Sequence, residues 1–550
     1  MHQQNQILLL PQYDDFNPIF EQFDQIESNN LSKLQPRLID AIKRFCLLKS
    51  QVKILQVNAP DNFVYRQIIK DWISDFTTSS VVQIETLSER ELFGCVHQSD
   101  DGGSIIQPGA IHTADDGFLI LSVTTLLANP AIWFRLKTAL LSGEATWQPS
   151  DPKRSCNLPN AAKVNLNLVL VGDRSLLGDL DQLEPDFRTG MSLFSEFELE
   201  AELNNQSLPL YIGYIKSLLA HANLPALQDA DAIIQLLIAS AREYEDQTRL
   251  SLCPIWHRTL LAESSIDSQT SLITAQMIKS AGSAKLYRES YLPERAIGDI
   301  YNGQVLIETQ GERIGQINAL TVLEVPGHPR GYGEPARLSC VIHFGDGEVS
   351  DVERKAELGG NIHAKGMMIM QAFVMNSLQL HEALPYSASM VFEQSYCEID
   401  GDSASLAELC CLISALAEKA IDQQIAITGA VDQFGQVQAI GGVNEKIEGF
   451  YNVCRHQGLT GKQGVIIPSA NLSHLVLNDD VITAINNNQF HIWPVSDACT
   501  ALEKLTSLPL HAEEKESLLN LINQRIHDYE HSEHCSFSWL RRVRNWFVQH

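Results

Sequence analysis

The stretch IDGDSASLAE, residues 399–408, joins a strand-like run to an apolar helical run and contains two aspartates and two serines. Ser405 and Glu408 match the S-x-x-E capping box, which predicts Ser405 as the N-cap of the helix that follows. Ser403 would then lie one step outside the helix in a tight Gly-Asp-Ser turn, where backbone N–H groups could meet a developing oxyanion. The alternative interpretation is that Ser403 only stabilises the turn.

The stretch GGVNEKIEGFYNVC, residues 441–454, supplies a candidate partner for Ser403. A serine hydroxyl is a weak nucleophile until a base takes its proton. The paired glycines predict a turn, and the apolar spacing after them predicts a helix that begins near Asn444. Lys446 would lie in the first turn of that helix, where the helix dipole and burial both lower the pKa of a lysine. The pattern therefore favours Lys446 as a general base.

Three histidines upstream of the Gly-Asp-Ser turn offer a different chemistry: His343, His363 and His381. A Ser-His-Asp hydrolase that uses His363 or His381 is an alternative to the lysine mechanism. The two differ in their pH dependence, because an unperturbed histidine titrates near roughly 6.5.

The segment from about residue 300 to 508 resembles the proteolytic domain of the Lon protease family, in its LonB-like branch. The resemblance lies in three stretches: FEQSYCEIDGDSAS (392–405), ITGAVDQFGQVQAIGGVNEK (427–446) and GLTGKQGVIIP (458–468). It implies that Ser403 is the nucleophile and that Lys446 is its general base. The chemistry that the resemblance implies needs no cofactor and no metal.

Three further positions match the family pattern in supporting roles. The resemblance implies that Thr428 hydrogen-bonds the lysine, although a β-branched residue in a strand needs no such role. Asp400 matches an acidic position that can pair with the lysine and hold it charged and unproductive. Asp402 is the third, and it can equally be a turn residue that satisfies backbone N–H groups.

Residues 51–205 alternate short apolar strands with helices, which predicts a parallel α/β sheet. Within them, PGAIHTADDGFLILSV (108–123) resembles the AAA+-like ATPase module that precedes a LonB-like protease domain. The phosphate-loop pattern GxxxxGK[ST] is lost, because its defining positions are occupied by Ala59, Val64, Tyr65 and Arg66. The strand FLILSV also lacks acidic metal ligands at its end.

These losses predict a degenerate module that is kept as a scaffold, so a requirement for ATP-Mg is doubtful. The alternative is that ATP binds through other contacts, with Arg66 or Arg188 reaching a phosphate.

The domain organisation predicted from these patterns has five parts. They are an N-terminal helical segment (1–50), a degenerate AAA+-like α/β domain (51–205), a helical lid (206–299), a Lon-type α+β proteolytic domain (300–508) and a helical tail (509–550).

Composition limits the possible partners. The chain has 550 residues and a formal net charge of −27, which argues against binding to nucleic acid. The uncharged run from Gly117 to Phe134 contains polar residues and a proline, so it predicts a buried strand and a helix start rather than a membrane span. Eleven scattered cysteines and a polar start predict reduced thiols and a cytoplasmic location.

Two further features have alternative interpretations. The methionines of a predicted helix, at 367, 368, 370 and 375, could line a peptide groove, but core packing is the commoner use. The tail contains His527, His531, His534 and Cys535, which are predicted to be linker residues rather than a zinc site. It ends in the basic aromatic stretch FSWLRRVRNWF (537–547), which could lie on a membrane surface or dock against a neighbouring subunit.

The sequence thus predicts a serine endopeptidase that acts on unfolded polypeptide with weak or no dependence on ATP. The resemblance also implies a homo-oligomeric ring, most often of six subunits. Besides the Ser-His-Asp hydrolase, two alternatives remain at this point: a fully ATP-dependent Lon-type protease, and a non-catalytic interaction protein that retains the fold.

Overall fold

The computed structural model describes residues 7–48, 53–98, 103–151, 158–266, 272–345, 347–378, 385–395, 399–512 and 516–528. These residues form two compact units. The unit called N-terminal here comprises Phe16–Ile233 and Leu250–Met277, and the unit called C-terminal comprises Met1–Asp15, Ile234–Arg249 and Ile278–His550, in each case within the described residues.

The N-terminal unit is built on a five-stranded, fully parallel sheet. Its strands lie in the spatial order Val81–Gln83, Phe118–Ser122, Asn167–Gly172, Ile54–Asn58 and Ser192–Glu196. Helices cover the sheet, and every residue of Phe118–Ser122 is buried, as is usual for a parallel strand. This sheet confirms the parallel α/β fold predicted for the region. The uncharged run forms that strand and then the helix Val123–Leu127, as predicted.

The remaining elements up to residue 288 are mostly helices. The helices are Asn17–Phe20, Pro36–Leu47, Phe63–Phe76, Glu89–Phe93, Ala110–Thr113, Val123–Leu127, Pro130–Ser142, Arg174–Leu183, Ser207–His221, Ala230–Tyr244, Pro254–Ser264 and Ala275–Arg288. Short strands are Cys95–Gln98, Ser104–Gln107, Glu144–Ala145, Ala162–Lys163, Glu200–Glu202, Ala226–Leu227, Arg249–Ser251 and Leu272–Ile273. Short 3-10 helices are Asp14–Phe16, Phe23–Gln25, Leu31–Leu34 and Pro185–Thr189.

The C-terminal unit contains a seven-stranded mixed sheet. Its strands lie in the order Val349–Asp351, Tyr386–Glu393, Tyr332–Phe344, Gln316–Leu323, Ile425–Ile427, Gly464–Pro468 and His491–Val495. The last four strands in this order are mutually parallel. Tyr332–Phe344 pairs antiparallel with both of its neighbours, and Val349–Asp351 pairs parallel with Tyr386–Glu393. Short strands outside this sheet are Glu312–Arg313, Ile421–Asp422, Ala430–Val431 and Val437–Gln438.

Helices pack on both faces of this sheet. They are Tyr291–Tyr301, Val352–Lys355, Asn361–Leu378, Ser405–Ala417, Val443–Gln457, Asp479–Asn486 and Ala498–Thr506, with a 3-10 helix at Ser469–His474. Alternate strand residues point to opposite faces, so Ile466 packs in one core while Val465 and Ile467 pack in the other. The helix Ser405–Ala417 belongs to the first core and the helix Val443–Gln457 to the second. These two helices therefore lie on opposite faces of the sheet.

Residues distant in sequence complete the C-terminal unit. Leu477 N–H donates to the carbonyl of Leu9 at 3.1 Å. The helical residues 518–528 bury Leu518 and Ile522 in the same core as the helix Ser405–Ala417. The predicted tail thus begins inside the core of this unit, while the bounds of the five predicted domains remain predictions.

Two properties of the described residues bear on the earlier alternatives. Met367 and Met370 are buried, as core packing predicts, while Met368 and Met375 are 65% and 40% exposed. Within the ranges described above, no helix combines the length and the apolar character that crossing a membrane requires.

Candidate active site

The turn that contains Ser403 leads into the helix Ser405–Ala417, called here the nucleophile helix. The predicted capping box is wrong, because Ala404 is the N-cap residue and Ser405 is already helical. The Ser405 hydroxyl donates to the carbonyl of Asp402 at 2.8 Å and accepts from Val431 N–H at 3.0 Å. The local pattern predicts a capping role for the Ser405 hydroxyl, but in the structure this hydroxyl binds Val431, which is distant in sequence. Glu408 is also unavailable for the predicted capping box, since its side chain is buried against His363.

The backbone of this turn is attached to the chain that follows the strand Ile425–Ile427. Gly429 N–H donates to the carbonyl of Ser403 at 2.9 Å, and Leu406 N–H donates to the carbonyl of Gly429 at 3.1 Å. The hydroxyl of Thr428 donates to the same Ser403 carbonyl at 3.3 Å. These bonds fix Ser403 at the carboxyl end of a central parallel strand, which is where α/β sheets commonly hold their sites.

Lys446 lies in the first turn of the helix Val443–Gln457, called here the lysine helix, as predicted. The helix starts after Gly442, whose φ of +64° is readily adopted only without a Cβ. The side chain of Lys446 is buried, and its Nζ lies 2.9 Å from Ser403 Oγ and 3.3 Å from Thr428 Oγ1. The structure therefore brings together the three residues that the sequence named as nucleophile, base and support.

Burial lowers the pKa of Lys446 to about 8, and the negative charges of Glu245 and Asp402 oppose that shift. Removing an ammonium group from water disfavours its charged form, which explains the direction. A lysine with such a pKa is neutral in a substantial fraction of molecules at mildly alkaline pH. Neutral Nζ can accept the proton of the hydroxyl that it contacts.

The two aspartates of the turn are placed differently. Asp400 Oδ1 accepts from Ile362 N–H at 3.1 Å, in the first turn of the helix Asn361–Leu378. The predicted pairing of Asp400 with Lys446 is therefore not what the structure shows, because the helix N-terminus binds this carboxylate instead. Asp402 lies close enough to act on the charge of Lys446, and its carbonyl accepts from Ser405 N–H at 3.0 Å, as a turn residue should.

His363 is buried between two carboxylates of the C-terminal unit. Its Nε2 lies 3.2 Å from Asp351 Oδ2, and its Nδ1 lies 3.5 Å from Glu408 Oε1. The surrounding carboxylates outweigh the desolvation of His363 and raise its pKa. Both ring nitrogens thus face carboxylates rather than Ser403, which leaves the imidazole poorly placed to act as the base of a Ser-His-Asp site. His381 lies outside the described residues.

The region of the N-terminal unit where the phosphate loop would fall is occupied by the protein's own side chains. The carboxamide of Asn62 accepts from Val64 N–H at 3.0 Å and from Tyr65 N–H at 3.4 Å at the start of the helix Phe63–Phe76. These are the backbone donors that a phosphate would use at a helix N-terminus. A side chain of the loop itself already binds them.

Arg66 is also engaged by its neighbours. Its guanidinium is buried and forms ion pairs with Asp61 and Glu85. Asp61 in turn accepts from Ser122 Oγ at 2.8 Å and from Thr124 N–H at 2.9 Å, at the end of the strand that lacks acidic residues. Arg188 is exposed and paired with Asp181 at 2.9 Å. The residues present therefore do not fit a bound nucleotide phosphate with its metal ion.

The remaining sequence predictions concern the tail and metals. His531, His534, Cys535 and the stretch 537–547 lie outside the described residues, and His527 is exposed. The described ranges contain no group of three or more histidine, cysteine or acidic side chains arranged to hold a metal ion.

Sequence reasoning missed Arg242 and Glu245, which contact the first turn of the lysine helix. Glu245 accepts from Gly442 N–H at 3.1 Å, and Arg242 Nη2 donates to Glu445 Oε1 at 2.7 Å. No local pattern could have identified these residues, because they lie about two hundred positions upstream of their partners.

Comparison with known protein families matches both halves of the chain. Residues 77–198 match the family described as "LonB-like, AAA domain", and residues 393–506 match "Lon protease (S16) C-terminal proteolytic domain". The fold and these matches define an AAA-like domain followed by a Lon-type proteolytic domain.

Some relatives match most of the chain, and others match only a part of it. A protein of Escherichia coli (strain K12) named "Putative Lon protease homolog" is 40% identical over 578 aligned positions, which cover 98% of each chain. A protein of the same name from Haemophilus influenzae is 41% identical over 87% of this chain and 81% of its own length. An "Archaeal Lon protease" of Methanocaldococcus jannaschii is 44% identical over 90 residues, which are 16% of this chain and 13% of the relative. The chain belongs to the Lon protease family, as a Lon-like serine peptidase.

Proposed function

We propose that the protein hydrolyses peptide bonds with Ser403 as nucleophile and Lys446 as general base. Neutral Lys446 Nζ takes the proton of Ser403 Oγ as the hydroxyl oxygen attacks the carbonyl carbon of the peptide bond. The resulting ammonium group then donates this proton to the leaving amine, and an acyl-enzyme ester remains. A water molecule, deprotonated by the same lysine, hydrolyses the ester and restores both side chains.

The single observation that carries this proposal is the contact of 2.9 Å between Lys446 Nζ and Ser403 Oγ. This distance lies within the range that a nucleophile and its base require. The buried position of Lys446 supports the same role, because burial lowers its pKa to about 8. A solvent-exposed lysine at the same distance would be almost fully charged at neutral pH.

The oxyanion would be bound by the backbone at the start of the nucleophile helix. The N–H groups of Ser405 and Glu408 already donate to the carbonyls of Asp402 and Ala404. Those of Ser403 and Ala404 donate to no backbone carbonyl among the described residues. We assign these two as the donors to the oxyanion, since backbone amides beside a nucleophile are common in such sites.

Peptide hydrolysis in this protein would proceed without nucleotide. Asn62 binds the backbone donors that a phosphate would need, and Asp61 and Glu85 bind Arg66. Without ATP-driven unfolding, the substrates would be polypeptides that are already unfolded. Family membership further supports a homo-oligomeric ring, most often of six subunits, and the predicted location is the cytoplasm.

Cleavage of an unfolded casein substrate, with and without ATP-Mg, tests these assignments. Ser403→Ala, Lys446→Ala and Lys446→Arg should each abolish cleavage, the last because a guanidinium is not deprotonated in proteins. Lys462→Ala removes an exposed lysine and serves as the matched control. ATP-Mg should leave the wild-type rate unchanged.

A serine-directed fluorophosphonate provides a second readout, with mass spectrometry of the modified peptide. Labelling of wild type at Ser403 and its loss in Lys446→Ala would agree with the proposed dyad. Wild-type protein that neither cleaves casein nor reacts with the probe would contradict it and favour a non-catalytic role. Cleavage that requires ATP-Mg would contradict the nucleotide-independent part alone.

A further inference from the structure

The end of the helix Ala230–Tyr244 contacts the first turn of the lysine helix. Arg242 lies in the last turn of the first helix, and Glu245 follows it with a left-handed φ of 51°. Both residues belong to the C-terminal unit, although they lie far upstream of the proteolytic stretches in sequence. These two residues, Arg242 and Glu245, are called here the upstream clamp.

Glu245 binds the N-cap of the lysine helix from outside that helix. Its Oε2 accepts from Gly442 N–H at 3.1 Å. In a capping box the third helical residue, here Glu445, would reach back to this N–H. Glu445 does not do so in this structure, where its Oε1 accepts from Arg242 Nη2 at 2.7 Å. Glu245 therefore supplies the carboxylate that the helix N-terminus favours.

Arg242 also binds the beginning of the lysine helix. Its guanidinium is bidentate on Glu448, with Nη1–Oε1 and Nη2–Oε2 distances of 2.8 Å and 3.0 Å. It also donates to the carbonyl of Val476 at 2.5 Å. Together with the Glu445 contact, these bonds hold the helix on both sides of Lys446 in sequence. A bidentate guanidinium fixes orientation as well as distance.

The clamp also contributes charge near the base. Glu245 stabilises the ammonium form of Lys446 and so opposes the lowering of its pKa by burial. The pKa of Glu245 itself is raised by burial and by the neighbouring Glu445. Other charged groups around the lysine helix include Asp402, Glu448 and Arg242 and, on elements packed against it, Glu334, Asp299 and Asp480, the last paired with Arg455.

We propose that Glu245 and Arg242 are positioning residues for Lys446, which fix the first turn of the lysine helix so that Nζ stays in contact with Ser403 Oγ. The inference rests on the proposed Ser403–Lys446 chemistry. It assigns a function in peptide hydrolysis to a segment that the sequence places in the lid region, before the proteolytic domain begins. A displacement of about 1 Å at Nζ would cost on the order of a hundredfold in rate.

Two substitutions separate the hydrogen bond of Glu245 from its charge. Glu245→Gln keeps an oxygen that accepts from Gly442 N–H but removes the negative charge, so the acid limb of kcat/KM should move to lower pH with a similar plateau. Glu245→Ala removes both, so the plateau of kcat should also fall by about tenfold or more. Glu243→Gln, an exposed glutamate two residues away that faces Lys285, is the matched control and should leave both unchanged.

Arg242→Ala leaves Glu445 and Glu448 without their ion-pair partner, and this variant can lose activity simply by unfolding. The two substitutions of Glu245 therefore provide the test. A purely structural role predicts that activity falls only with the folded fraction, while the pH profile keeps its midpoint. The proposal is overturned if Glu245→Gln superimposes on wild type and Glu245→Ala keeps kcat within about twofold.

A readout without catalysis keeps this inference distinguishable from the proposed function. Trace acetylation of full-length protein with acetic anhydride across pH, followed by mass spectrometry of the Lys446 peptide, reports the pKa of that amine directly. A lower midpoint in Glu245→Gln than in wild type and Glu243→Gln supports the clamp, even if wild type cuts no substrate. Identical midpoints in all three proteins overturn the effect of Glu245 on Lys446.

Discussion

Thr428 Oγ1 lies 3.3 Å from Lys446 Nζ, and the same hydroxyl donates to the carbonyl of Ser403 at 3.3 Å. One side chain thus contacts both members of the proposed dyad. It does so because Thr428 directly follows the central strand Ile425–Ile427, and the lysine helix and the nucleophile helix lie on opposite faces of that strand.

Thr428→Val should lower kcat by about tenfold while leaving the fold intact. Valine retains the β-branched shape but provides neither the acceptor for Nζ nor the donor to the Ser403 carbonyl. Thr428→Ser restores the hydroxyl and should recover most of the rate. Steady-state hydrolysis of an unfolded substrate by the three proteins measures both effects, and a valine variant with wild-type kcat would contradict the supporting role.

The pH profile of kcat/KM should have an acid limb with a midpoint of about 8, set by Lys446. Below that pH the lysine is charged and cannot take the serine proton, so the rate should fall about tenfold per pH unit. His363→Gln should not move the midpoint, because this imidazole lies between Asp351 and Glu408.

A titration of activity across pH 6 to 10 in both proteins makes this comparison. A midpoint near roughly 6.5 that disappears in His363→Gln would instead indicate a histidine base.

Asp400→Ala should lower the free energy of unfolding by about 1 kcal/mol without changing the acid limb. The carboxylate binds Ile362 N–H at the start of a helix, and its loss leaves that donor without its acceptor. Asp400→Asn keeps an acceptor oxygen and should cost less. Urea denaturation gives the stabilities, and a shifted acid limb in either variant would show that Asp400 acts on Lys446 after all.

Arg66→Met should lower the thermal stability of the N-terminal unit, because it leaves Asp61 buried without its ion-pair partner. Breaking a buried pair in this way typically costs about 3–5 kcal/mol. Asp61→Asn in the same protein should restore part of the loss. Thermal unfolding with and without ATP-Mg is the measurement, and ATP-Mg should stabilise none of these proteins.

Nucleotide that raises the unfolding temperature of wild type but not of Arg66→Met would contradict the filled-site interpretation. A ligand that binds only the folded state must stabilise it in proportion to its concentration over its Kd. The comparison therefore detects even moderate ATP affinity.

Much of the architecture could be predicted from local sequence. The buried run ending in Ser122 forms a strand because its apolar residues suit both faces of a covered parallel sheet. The glycine pair before Lys446 starts a helix because Gly442 adopts a left-handed φ. The stretches that resemble the Lon family identified Ser403 and Lys446, because each of these residues lies beside a turn with a distinctive local pattern.

The tertiary structure alone decided which partners the polar groups of the site take. Ser405 and Glu408 match a capping box, yet Val431 and His363 are their neighbours in space. Asp400 binds a helix N-terminus, and Glu245 binds the lysine helix from about two hundred residues away. Local patterns follow from backbone geometry and solvent preference over a few residues, whereas a buried hydrogen bond depends on which segments the packed core brings together.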